Sequence, residues 1–188
     1  MSIIAKKPDN DKNFEIIPEG THQAVCYGVW DIGYHTNSFG TQQHKIVVSW
    51  EINETIKAEG EYKGKRFVIS NRYTLSLSEK ANLRKHLEAW RGRSFTDEEL
   101  VGFDVEKLIG ANCLLNISHN EKDGKTYSNI LSIMQVPKGT QPMKPENDRT
   151  PPEWVTKVKE KSECLPSKDV GNADFDAGAF TNNEEVPF

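Results

Sequence analysis

The sequence predicts a mainly β protein: a five-stranded barrel with one helix between its third and fourth strands, followed by a disordered C-terminal tail. Three observations carry that prediction. Residues 45–52 alternate with period two, placing Ile46, Val48, Trp50 and Ile52 on one face and Lys45, Val47, Ser49 and Glu51 on the other, the pattern of a half-buried strand. The period then changes to 3.6, with Leu83, Leu87 and Trp90 recurring at i, i+4 and i+7 on one face of a helix. From Pro137 onward, seven of the nine prolines gather among Gly, Asn, Asp and Lys, a composition unable to bury a core.

The elements follow in order. Pro18-Glu19-Gly20 is a turn signal that leaves residues 1–17 as a polar arm. Thr21–Gly33 is rich in β-formers (Val25, Tyr27, Val29, Trp30, Ile32), with Gly28 interrupting the alternation as a bulge would, and forms the first strand. Residues 34–40 form a loop before the second strand, and the Lys63-Gly64-Lys65 turn leads to a third, Arg66–Leu75, where Phe67, Ile69 and Tyr73 alternate with polar residues. Ser76 and Glu79 have capping-box spacing for the helix, and Gly92 stands where a C-cap belongs. Thr96 with Glu99, and Asp104, open two short turns. Ala111–His119 is the fourth strand with Cys113, Leu115 and Ile117 inward, Asp123-Gly124 is a hairpin turn, and Tyr127–Val136 is the fifth strand.

Three strands, a helix and a hairpin give the element order of an oligonucleotide-binding barrel, the OB-fold. The chain divides into an arm (1–17), the barrel domain (18–136), a flexible Pro-rich linker (137–168) and an acidic tail (169–188). Within the linker, Thr150–Glu160 has helix-start chemistry at Thr150-Pro151 and a short apolar face of Trp154, Val155 and Val158. It is a second partner motif, a helix packed back on the barrel or a transient helix.

Charge is distributed unevenly. The formal net charge is −4, but the tail holds Asp169, Asp174, Asp176, Glu184 and Glu185 with no Lys or Arg. Residues 1–168 therefore carry 24 basic against 23 acidic groups. Residues 57–93 hold ten basic groups against four acids, a candidate for phosphate contact that is also compatible with a solvated surface. A single strand exposes base faces and a charged backbone, so holding it without reading sequence requires aromatic platforms beside cations along one groove. In an OB-fold that groove crosses strands two and three between the 1–2 and 4–5 loops. Trp30, Tyr34 and Phe39 fall at the first loop. Lys45 and Arg72 project from the polar faces of strands two and three, and Lys122, Lys125 and Tyr127 surround the second loop. Arg66, Arg91 and Arg93 of the basic stretch are further phosphate candidates. Trp50 and Trp90 share apolar faces and belong to the core, whereas Trp30 and Tyr73 are compatible with either core or stacking.

The tail ends in Glu184-Glu185-Val186-Pro187-Phe188. A terminal Phe offers a ring for an apolar pocket and a carboxylate for an Arg or a backbone nest, and the acids before it, including Asp174 and Asp176, steer it toward a basic rim. This ending resembles the C-terminal tip of single-stranded-DNA-binding proteins of bacteria and their phages, with Asn182 and Asn183 where that tip carries aspartates. Residues 73–110, YTLSLSEKANLRKHLEAWRGRSFTDEELVGFDVEKLIG, resemble a segment of phage-encoded single-strand-binding proteins, and with the flanking strands the resemblance covers residues 18–137. It implies an OB-fold body that coats single-stranded DNA during phage replication, recombination or repair. It also implies a tail that recruits partner enzymes. The body does not look like the standard bacterial protein, so that family's tetramer is not implied.

Other readings are an adaptor whose barrel and tail both bind protein, or a DNA-processing nuclease. Catalytic signatures are missing: Asp123-Gly124-Lys125-Thr126 looks like the end of a phosphate-binding loop, but His119 stands where that motif needs Gly. The five His residues lack metal-ligand spacing, and no cofactor or metal is implied. Cys26, Cys113 and Cys164 are unpaired in spacing and point to a reducing compartment. With no apolar leader or membrane-length run, the expected location is the cytoplasm of a bacterial host.

Overall fold

The computed structural model describes residues 15–163. Five antiparallel strands form one sheet: β1 (Gly20–Thr36), β2 (Gln42–Thr55), β3 (Arg66–Thr74), β4 (Asn112–Lys122) and β5 (Lys125–Met134), in the order β3-β2-β1-β4-β5. Between β3 and β4 in sequence lie α1 (Asn82–Arg91), α2 (Asp97–Val101) and a 3-10 turn, Val105–Leu108; α3 (Glu153–Glu163) follows β5. The sheet is not closed among the described residues. β3 and β5 remain its edges, and α1 lies against both of them. The expected barrel closure is thus replaced by side-chain packing, with Leu83, Leu87 and Trp90 of α1 in the main core. Trp90 Nε1 donates to the Asn112 carbonyl at 2.7 Å, tying the helix to the start of β4.

β1 is the axis of the sheet. Ala24–Thr36 pair with β2, and Gly20–Val25 pair with β4. The register slips between Cys26 and Gly28, the bulge the sequence predicts, and again between Asp31 and Gly33. Inward residues of the strands (Ala24, Cys26, Ile46, Val48, Trp50, Ile52, Phe67, Ile69, Cys113, Leu115, Ile117) build the core, whose burial pushes the Cys26 thiol up to about 12 and raises that of Cys113 as well. The Asp123-Gly124 turn has φ of 52° and 74°, as a two-residue hairpin with both central residues left-handed requires. Thr96 and Glu99 form the reciprocal capping box, Asp104 caps the 3-10 turn, and Gly92 closes α1 at φ 66°.

Several sequence expectations are corrected. Tyr34, His35 and Thr36 are strand, paired with His44, Gln43 and Gln42, because β1 continues to the hairpin tip instead of ending at Gly33. Ser76 and Glu79 form no capping box. Ser76 Oγ accepts from the Ser78 amide, a turn closes from Ala81 to Ser78, and α1 begins without a side-chain cap where its apolar face begins. Part of the N-terminal segment is integrated: Ile17 lies in the main core, and Glu15 accepts from the Lys57 and Ala58 amides at 2.7 Å each.

The largest difference concerns the outer face of β2, expected to be solvated. Val47, Ser49 and Glu51 on that face are 0% exposed. Residues after β5, expected to be a free linker, return over it. The Glu146 and Asn147 amides donate to Glu51, and α3 packs Val155 into a second, smaller cluster with Ile32 and Val47, flanked by Trp30, Trp154 and Val158. Of the three readings open for Thr150–Glu160, the structure has the helix packed back on the sheet.

Candidate nucleic-acid interface

The tip of the β1–β2 hairpin concentrates exposed aromatic surface. Asn37 organises the turn: its Oδ1 accepts from the Phe39 amide at 3.0 Å and the Thr41 amide at 2.9 Å, and its backbone bonds both Thr41 and Gly40. This side-chain-to-backbone bonding is how Asn stabilises a turn that would otherwise be entropically costly. The turn holds Phe39 outward at 78% exposure. Tyr34, 51% exposed, pairs across the strands with His44 and stacks on its imidazole at 4.7 Å and 18°. The His44 ring is fixed in turn by Asp31 Oδ1 at 2.8 Å. Lys45, next to His44 and opposite Gly33, adds a cation. Tyr34, Phe39 and Lys45 therefore lie on one hairpin, with Lys45 on the face opposite the Tyr34–His44 stack, and His44 is an addition that cross-strand register alone reveals.

The remaining candidates are distributed differently. Lys122, Lys125 and Tyr127 flank the β4–β5 turn. β4 runs past the Gly20 end of β1, whereas the β1–β2 turn closes at the Thr36 end, so the two tips lie at opposite ends of β1. Trp30 is half-buried, edge-on to Tyr27 at 5.5 Å and part of the small cluster under α3. Tyr73 is 4% exposed, and its hydroxyl meets His86 Nδ1 at 2.8 Å. Burial raises the phenol and lowers the imidazole, so both are neutral at pH 7 and the ring belongs to the core, where no base can stack on it.

The arginines are engaged. Arg66 bonds Glu51 at 3.3 Å, the Glu146 carboxylate at 2.7 Å and the Lys144 carbonyl at 2.8 Å. Arg72 lies 5.5 Å from the Trp154 ring centroid. Arg91 pairs with Glu99 and covers the Phe95 ring, and Arg93 reaches the same carboxylate at 2.7 and 2.9 Å. Hydrogen bonds from Arg93, Arg91 and the Thr96 amide hold the Glu99 carboxyl down at about 2. Sequence spacing gave no sign of these partners, since Glu51, Glu99 and Glu146 all lie outside the basic stretch.

The tail candidates Asp174, Asp176, Glu184, Glu185, Val186, Pro187 and Phe188 lie outside the described residues, as does Cys164. Among the described residues no group of His, Cys, Asp and Glu is arranged to hold a metal ion, and no helix is long and apolar enough to cross a membrane. No protein-family model matches the chain, and no curated protein matches it.

Proposed function

We propose that this chain binds single-stranded DNA without strong sequence preference, in the manner of a phage-encoded single-strand-binding protein, and recruits replication or recombination enzymes through its acidic C-terminal tip. The sheet order β3-β2-β1-β4-β5, with helical structure between β3 and β4, supports reading the body as an OB-fold left open between its edge strands. The observation that carries the proposal is the hairpin tip: two exposed rings, Phe39 on a bonded turn and Tyr34 stacked on His44, with Lys45 on the other face of the same hairpin. A turn already held by hydrogen bonds leaves less backbone to order when a base covers the ring, and each stacked base contributes about 1–3 kcal/mol.

The test is a titration of labelled oligo-dT and of duplex DNA at several salt concentrations. Neutralising about three to four phosphates gives log K against log salt a slope of about −2 to −3. Phe39→Ala should lose about 1–3 kcal/mol of binding at unchanged slope, and Lys45→Ala should make the slope shallower by about 0.7. Equal affinity for duplex and single strands would refute the reading.

A further inference from the structure

The outer face of β2 and β3 is patterned as a solvated surface and is nevertheless covered. Polar residues alternate outward along it, as on an antiparallel sheet with one face in water. Over Val47 and Glu51 lies the chain's own return segment. That segment meets the face with a particular chemistry. The Glu146 carboxylate and the Lys144 carbonyl take the Arg66 guanidinium, and the Trp154 ring lies against that of Arg72. An anionic oxygen on one arginine and a flat π-face on the next are what the phosphate and base of a single strand would present.

The cover is separable from the fold beneath it. Among the described residues, the buried members of the main core end at Ile133, whereas α3 contributes only to the small cluster around Ile32, Val47 and Val155. Residues 135–152 join β5 to α3 without helix or strand, enough chain for α3 to leave while the sheet stays intact. α3 is a short helix, marginal without its packing partners.

We infer that residues 144–162 are a displaceable strap that imitates a bound strand, and that single-stranded DNA competes with it for the β2–β3 face. This rests on the single-strand-binding proposal, and it makes the measured affinity the intrinsic one reduced by the fraction of molecules with the strap lifted. Linkage then requires that DNA open the strap to the same degree that the strap weakens DNA binding.

The experiment uses the full-length chain and Val155→Asn, which sets an amide against Ile32 and Val47 without adding charge. Labelled oligo-dT is titrated into both proteins. Backbone hydrogen exchange of residues 153–162 is then followed in the unaltered protein with and without oligo-dT. The expected result is an affinity about tenfold higher for Val155→Asn, together with faster exchange in α3 of the unaltered protein when oligo-dT is bound. Equal or weaker binding by a folded Val155→Asn, or α3 amides slowed by oligo-dT, overturns the strap and leaves single-strand binding standing. Failure of both proteins to bind oligo-dT overturns the strap together with the proposal beneath it. If Val155→Asn does not fold, the exchange measurement on the unaltered protein decides alone.

Discussion

Glu51→Gln tests how the return segment is held. The Glu51 side chain is 0% exposed, and every atom facing its two oxygens is a donor. Oε1 accepts from the Glu146 amide at 3.0 Å, the Asn147 amide at 2.7 Å and Asn147 Nδ2 at 2.9 Å, and Oε2 accepts from the Glu146 amide at 2.9 Å and Arg66 Nη1 at 3.3 Å. Gln keeps the shape but turns one acceptor into a donor aimed at other donors. A hydrogen bond to a charged group contributes about 1.5–3 kcal/mol, so opening of the segment should become easier by that amount. Amide exchange at Glu146 and Asn147 should accelerate about ten- to 150-fold. Because the segment packs outside the main core, amides in the β1–β4 ladder should exchange at their original rate. The assay is native-state hydrogen exchange read residue by residue. Unchanged rates at 146 and 147 would show that the carboxylate does not hold the segment. Equal acceleration in the ladder would show that segment and sheet open as one unit.

Two further predictions address the sheet and its charge clusters. Gly28→Ala places a Cβ 2.2 Å and 2.3 Å from the Trp30 ring, which Tyr27 and the α3 cluster hold, so urea unfolding should show a loss of about 1–3 kcal/mol; an unchanged midpoint would mean that the ring moves freely. Glu99 has a carboxyl depressed to about 2, so its pairing stabilises the fold fully above the ordinary value of 4.5, and that contribution is lost as pH falls toward 2. Glu99→Gln should remove the part of the acid unfolding curve that lies in this window, and superimposable curves for the two proteins would refute the assignment.

What the sequence made legible is what local spacing controls. The alternation of Ile46, Val48, Trp50 and Ile52 and the helical recurrence of Leu83, Leu87 and Trp90 both place residues in the main core. The Asp123-Gly124 turn and the Thr96–Glu99 box follow from backbone chemistry within four residues. The exposed Phe39 is legible for the same reason, since its turn is organised by Asn37 two positions earlier. The rest depends on partners distant in sequence. Periodicity assigned Glu51 correctly to the face opposite Trp50, but whether that face meets water depends on Glu146 and Asn147, which approach from beyond β5. Tyr73 was ambiguous because alternation fixes its face, whereas its burial depends on His86 and on α1 covering the edge of the sheet. Ser76 and Glu79 had the right spacing for a cap, but tertiary burial of Leu83 and Leu87 set where the helix starts.

The same distinction changes the meaning of the basic stretch. Between residues 57 and 93 the formal excess of positive charge suggests a surface led by electrostatics. In the structure Arg66 is paired with Glu51 and Glu146, Arg84 with Glu88, and Arg91 and Arg93 with Glu99. An arginine already bonded to a carboxylate gains little from a phosphate unless the carboxylate first leaves, because the incoming anion exchanges one charge-assisted bond for another. Charge counted along the chain therefore overstates charge offered to a ligand. The hairpin tip differs, since the Phe39 ring projects into water and Tyr34 keeps half of its surface exposed. On the single-strand-binding proposal, a surface organised this way holds a strand chiefly by stacking. It should show a shallow salt dependence and a large penalty for loss of one ring, with Arg66 and Arg72 joining only when residues 144–162 yield their places on the sheet.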